Sequence, residues 1–240
     1  MRLRAEPLWT LSLYPEAAEG GGCLAVRRDS PVSSGGPPDG GRAAEEAARR
    51  ARAKIRRYAA ANRLNRLGTL TYLGAGCHDP LRLRAHLGEF FRELRGDGRF
   101  PYLWVPQWHP GGHGLHAHFA VGRYVPRRLI EQAWGHGFVH IKLLSGLPVG
   151  TGTLGEARLA ARYLARYVGR DADEERRLSG LHRYEVGQGF QPVKVECYGV
   201  SAEDVIDRAS GLMGAAPERV WLSASMEGWR GPPACWAQWN

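Results

Sequence analysis

Two histidines one residue apart, His116 and His118 in "GLHAHFAVG", and two tyrosines at i and i+4, Tyr163 and Tyr167 in "YLARYVGR", are the residues of this chain best placed to do chemistry. Alternate residues of a strand share a face, which sets the two histidine Cβ atoms about 7 Å apart, close enough for both imidazoles to lean onto one ion. The plainer use of such a pair is to fill a core. If the hairpin turning at Gly111 and Gly112 pairs about its centre, Gln107 lies opposite His116 or His118 on the same face and offers a carbonyl oxygen as a third ligand. Two imidazoles and an oxygen suit Mg²⁺ or Mn²⁺ better than a closed structural zinc site. His109 and His113 fall in the turn, beside solvent or phosphate, and His140 alternates with apolar residues as a structural histidine would.

The tyrosines sit on a boundary. On a helix, Leu159, Tyr163 and Tyr167 form one stripe, Ala160, Leu164 and Val168 the next on one side, and Arg158, Arg162, Arg166 and Arg170 the next on the other. Two readings stand. Either the rings complete a core and keep their hydroxyls wet, or a hydroxyl beside cations is positioned as a nucleophile toward phosphate. A free phenol ionises near pH 10, so the second use requires such neighbours.

The elements that must carry these residues are marked by their punctuation. "RLGTLTYL" at 66–73 is β-rich. Residues 79–96 form a helix with Asp79 as N-cap, Pro80 at the first position, Gly96 beyond the end, and Leu83, Leu87, Phe90, Phe91 and Leu94 as its apolar stripe. Strands follow at 101–108 and 114–122, then a helix between Pro126 and Gly135, and a strand at 137–144. The order β-α-β-β-α-β predicts an α+β, ferredoxin-like antiparallel sheet with its helices on one face, and puts "LHAHF" on a central strand beside "TLTY". The helix bearing the tyrosines opens on a capping-box pattern, Thr153-x-x-Glu156, and stops at Gly169.

Outside this block, residues 1–41 contain "EGGG" and "SSGGPPDGG" and read as a flexible arm in which only "LWTLSLY" could pair as a strand. Residues 42–66 carry nine basic and two acidic residues on an Ala-rich helix. That helix is either solvated, with Ala48, Ala51, Ile55, Tyr58 and Ala59 facing a core, or laid on phosphates through residues such as Arg56 and Arg57. Residues 191–240 read as an extension packing on the 67–190 domain, with a strand, a helix capped by Ser201, and a Trp-rich end without a legible pattern.

In 240 residues, 33 Lys and Arg against 24 Asp and Glu give a net charge of +9, which favours a polyanionic partner. No window is long and apolar enough for a membrane span, and the first residues lack a convincing secretory signal, so a soluble cytoplasmic protein without a membrane partner is expected. The scattered Cys23, Cys77, Cys197 and Cys235 make no CxxC pair and read as reduced.

Taken together, "TLTY" at 69–72, "HAH" at 116–118 and "YLARYVGR" at 163–170 resemble, in order and approximate spacing, the three motifs of HUH endonucleases, most nearly the rolling-circle replication initiators of plasmids and filamentous phage. The likeness spans roughly residues 60–190 and takes in "HRYEVGQGF". It implies a nickase acting on single-stranded DNA at a replication origin. His116 and His118, with Gln107, would hold Mg²⁺ or Mn²⁺ on the scissile phosphate. Tyr167 or Tyr163 would attack, keeping the 5′-phosphate as a phosphotyrosine and freeing a 3′-OH for a polymerase. The resemblance favours Tyr167, which follows the basic residue Arg166 directly.

Two departures stand out: Arg166 replaces the usual Lys of Tyr-x-x-Lys-Tyr, keeping the charge without a proton to give, and Gln107 stands where many relatives carry Glu. DNA contacts are expected from Thr69, Thr71, Arg158, Arg162, Arg170, Arg56 and Arg57. With no GxxxxGK[ST] loop in the sequence, a separate helicase would open the duplex. A relaxase or transposase of the same superfamily shares this chemistry. A non-catalytic single-strand binder using Tyr72, Trp104 and Trp108 as stacking platforms is the rival of another class.

Overall fold

The structure, a computed structural model, describes residues 8–25, 40–96, 98–142, 144, 151–168, 180–229 and 231–240. Along the chain run β1 (Leu8–Tyr14), β2 (Glu19–Ala25), α1 (Gly40–Ala61), β3 (Arg66–Leu70), α2 (Pro80–Arg95), β4 (Tyr102–Trp108), β5 (Leu115–Val121) and α3 (Arg127–Trp134). They are followed by β6 (Val139–Lys142), α4 (Thr153–Ala165), β7 (Glu185–Val186), β8 (Val195–Gly199), α5 (Ala202–Met213), β9 (Arg219–Leu222) and β10 (Ala234–Gln238). The described residues form an α+β protein with two antiparallel five-stranded sheets and five helices, divided into a unit of residues 38–191 and a unit made from residues 1–37 and 192–240. No helix among the described residues is long and apolar enough to cross a membrane.

In the 38–191 unit the strand order is β6-β3-β5-β4-β7. Its first four strands take the order that a split β-α-β-β-α-β chain imposes, with β3 and β5 central, and β7 adds a short pairing to Leu103 and Trp104. Pro106 interrupts the donors of β4 beyond the reach of β7, on the stretch of edge where a missing N–H does least harm.

Strand alternation sorts the side chains into two cores. Leu115, Ala117, Phe119 and Val121 of β5 face Leu83, Leu87, Phe90 and Phe91 of α2 and Ile130 and Trp134 of α3. Ala120, with Leu67, Leu103 and Val105, faces Ile55, Tyr58 and Ala59 of α1 and Ala160, Ala161 and Leu164 of α4. Helices therefore cover both faces rather than one, because α1, outside the β-α-β-β-α-β block, supplies an apolar stripe that pairs with α4. All five core-facing residues expected of α1 are buried.

The local signals of α2 and α3 act as expected. The Asp79 carboxylate accepts from the Leu81 amide at 2.9 Å, and Gly135 closes α3 in the left-handed region at φ 56°. Two other expectations are corrected. The basic helix ends at Ala61, not 66, since Arg63 turns to φ 52° and the Leu64 amide bonds back to Ala59. The Thr153/Glu156 capping box does not form: Gly152 is the N-cap, and Glu156 is taken by the Asn65 amide at 2.6 Å. Helical structure at the tyrosines also stops sooner, α4 ending at Ala165 with a turn through 166–168; Gly169 lies outside the described residues.

The second unit revises the expectation of an N-terminal arm. Residues 8–14 and 19–25 are neighbouring strands in a sheet ordered β8-β1-β2-β10-β9, on which α5 packs with Val205, Ile206 and Ala209 against Leu11 and Leu13. "EGGG" is a strand because β1 approaches it closely: a Cβ on Gly22 would stand 1.9 Å from the Thr10 carbonyl oxygen. Ser201 caps α5 through the Asp204 amide at 3.1 Å, and the Trp-rich end resolves into β9 and β10, with Trp221 opposite Trp236. All four cysteines are free thiols.

Candidate active site

Because β5 is paired on both sides, its register fixes what surrounds His116 and His118. Thr69 of β3 lies opposite His118, and Gln107 and Val105 of β4 lie opposite His116 and His118. Both imidazoles continue the face of Ala120, the face that α4 covers. They are 6% exposed and Gln107 is 9% exposed.

Three heteroatoms converge there. His118 Nε2 is 3.2 Å from His116 Nε2 and 2.9 Å from Gln107 Oε1, while His118 Nδ1 lies 2.9 Å from the Thr69 hydroxyl. Protons are too few for these contacts. A neutral imidazole has one N–H; if Thr69 takes it at Nδ1, the Nε2 lone pair of His118 faces the lone pairs of the Gln107 oxygen. Adjacent ligands on one small ion, with bonds of about 2.1 Å at right angles, stand about 3.0 Å apart, which is the spacing seen. The set could therefore hold a divalent cation, with Thr69 orienting His118 from behind. Among the described residues no group of three or more His, Cys, Asp or Glu is arranged to hold a metal, so any ion here would rely on the neutral Gln107.

Burial holds both imidazoles in the neutral form that a ligand needs. It lowers His116 to about 4, helped by nearby His109, and His118 to about 3, helped by His116. His116 Nδ1 is buried without a hydrogen-bond partner.

Over this cluster stand both tyrosines. Buried Leu164 and Val168 anchor the end of α4 and its turn, and amides of Arg166 and Tyr167 bond to the carbonyls of Tyr163 and Leu164. The Tyr167 ring stacks on His118 at 3.9 Å between centroids and 14° between planes. Tyr163 meets His118 edge-on at 6.0 Å and Tyr167 at 5.4 Å. The structure thus joins His116, His118, Gln107, Tyr163 and Tyr167 in one cluster. Arg166 is exposed, with its guanidinium 6.0 Å from the centre of the Tyr163 ring.

Other expected positions fall elsewhere. Thr69 contacts His118, and the Thr71 hydroxyl donates to the Phe138 carbonyl at 3.3 Å. Arg162 is exposed, Arg158, Arg56 and Arg57 are half-buried, and Arg170 lies outside the described residues. Trp104, 2% exposed, has no face for a base, and Tyr72 packs on Trp134 with its hydroxyl 3.0 Å from His86 Nδ1. One residue of the cluster was missed from sequence: Lys142, whose ammonium lies 4.8 Å from the Tyr163 ring centre. Alternation along "VHIK" puts it on the face of His140, which pairs with Thr69, but only the β3–β6 register reveals this.

Residues 65–172, just under half of the chain, match a family model described as a replication-associated protein of the ORF2 type. No curated protein and no solved structure matches the chain. The matched stretch contains all of β3 to α4, and with them every residue of the histidine and tyrosine cluster.

Proposed function

We propose that this chain initiates rolling-circle DNA replication, its 38–191 unit acting as an HUH-type nickase that cuts single-stranded DNA through a tyrosine. The observation that carries the reading is the convergence of His116, His118 and Gln107 beneath the stacked Tyr167 ring. A match to replication-associated proteins over the same residues supports the biological role.

His116, His118 and Gln107 would hold Mg²⁺ or Mn²⁺, which supplies polarisation of a non-bridging phosphate oxygen. The Tyr167 hydroxyl oxygen attacks phosphorus and gives its proton to water. The P–O3′ bond breaks, its electron pair leaves with O3′, and water returns a proton to make the 3′-OH. The 5′-phosphate stays on Tyr167, so the bond energy is stored for a later strand to reverse the step. Tyr163, flanked by Lys142 and Arg166, serves as the second nucleophile of such a transfer. The arginines of α1 and α4 hold DNA backbone, and a separate helicase opens the duplex.

The reading is tested by incubating the protein with single-stranded origin DNA and Mn²⁺ and asking whether a polymerase extends the cut end. Extension that disappears with EDTA and in His116→Ala/His118→Ala supports the nickase. DNA that is bound but never cut, with Mn²⁺ present, favours the non-catalytic binder.

A further inference from the structure

A cavity of about 390 Å³ opens beside the tyrosines, lined among others by Asn65, Arg66, Tyr124, Lys142 and Glu156. Lys142 belongs to both places, lining the cavity while standing over the Tyr163 ring. The lining combines three chemistries. Arg66 and Lys142 are cations with no anionic partner among the described residues; their recorded contacts are with the rings of Tyr124, at 5.6 Å, and Tyr163, at 4.8 Å. Tyr124 is 72% exposed, a large aromatic face held out of either core. Glu156, fixed by the Asn65 amide at 2.6 Å, is the one carboxylate in the lining. The other two cations are engaged: Arg127 with Glu131 at 2.7 Å, and Arg123 with the Leu94 carbonyl and the Phe100 ring.

Two cations, one aromatic face and one fixed acceptor match the parts of a nucleotide: phosphate, base ring and exocyclic amine. The volume is within the range of small-ligand sites. Resting on the nickase reading for its place in the reaction, we infer that this cavity holds one nucleotide of the single strand flanking the cut. Its phosphate lies on Arg66 and Lys142, its base stacks on Tyr124, and its amino group donates to Glu156. Stacking on an aromatic side chain tolerates any base, whereas a carboxylate accepts from the amine of cytosine or adenine and finds no donor of that kind on thymine. The cavity therefore favours an amino-bearing base.

The test measures binding of fluorescein-labelled dC6, dA6 and dT6 to the full chain in EDTA, where no cleavage is needed, by anisotropy over a range of salt. The parent should bind dC6 and dA6 more tightly than dT6. Tyr124→Ala should weaken dC6 binding about tenfold, with Tyr124→Trp restoring it. Arg66→Ala should lower the salt slope by about 0.7. Glu156→Gln should narrow the gap between dC6 and dT6. These side chains lie at the surface or line the cavity, and far-UV circular dichroism reports whether each variant is folded. Binding that is the same in the parent, Tyr124→Ala and Arg66→Ala, or absent in all of them, overturns the inference. Because no cut is measured, the two proposals fail separately. Tyr124-dependent binding without cleavage in Mn²⁺ removes the nickase and leaves the nucleotide site, while cleavage with a neutral Tyr124→Ala removes only the site.

Discussion

Acidification should destabilise the protein through its two buried histidines. In the fold, burial lowers His116 to about 4 and His118 to about 3, whereas the unfolded chain protonates each near 6.5. The unfolded state therefore binds more protons below pH 6.5, so the contribution of the pair is whole above that value and is lost as pH falls toward 4 and 3. At pH 5 an unfolded imidazole is almost fully protonated while both folded ones remain neutral, a cost of about 2 kcal/mol each, or about 4 kcal/mol for the pair, relative to pH 7. Urea unfolding in EDTA at pH 7 and pH 5, followed by circular dichroism, measures the loss. The double variant His116→Gln/His118→Gln removes the two titrations and leaves every other group in place. The parent should lose about 4 kcal/mol more than the variant over this interval. Parallel losses in the two proteins would show that the pair is not held neutral, and the case for a preformed ligand set would go with it.

Replacing Thr69 by Val removes the hydroxyl behind His118 and should weaken Mn²⁺ binding by about 10- to 100-fold in a calorimetric titration, with Ser restoring it. Gln107→Glu supplies a charged oxygen in the same place and should tighten Mn²⁺ on the order of tenfold by the same titration. Gly22→Ala drives a methyl into the Thr10 carbonyl and should cost about 3 kcal/mol in thermal unfolding of the unit that contains β1, leaving Mn²⁺ affinity alone.

Elements whose signals are local were legible in the sequence. The cap at Asp79, the stop at Gly135 and the stripe from Leu83 to Leu94 each depend on residues within one turn of each other, and each forms as the pattern requires. The register that sets Gln107 opposite His116 was also accessible, because a hairpin's centre follows from its turn. What the sequence could not show depends on distant partners. Glycines 20 to 22 carry turn chemistry in isolation and become a strand only because β1 comes too close for any side chain. Glu156 stands three residues from Thr153, as a capping box demands, yet Asn65, far away in sequence, claims its carboxylate. Lys142 joins the tyrosines through the pairing of β6 with β3, and Thr69 turns toward His118 rather than outward for a related reason. In these cases a local propensity yields to a contact that only the folded chain supplies.

The central claim is that a tyrosine of this cluster becomes covalently joined to DNA. The direct measurement is to incubate the chain with a pool of randomised single-stranded DNA and Mn²⁺, denature and digest it, and map the nucleotide-bearing peptide by mass. A 5′-phosphate on Tyr167, moving to Tyr163 or vanishing in Tyr167→Phe and absent from the double phenylalanine variant, is the predicted result. Cleaved DNA with no modified tyrosine, or an adduct that persists in the double variant, would contradict it.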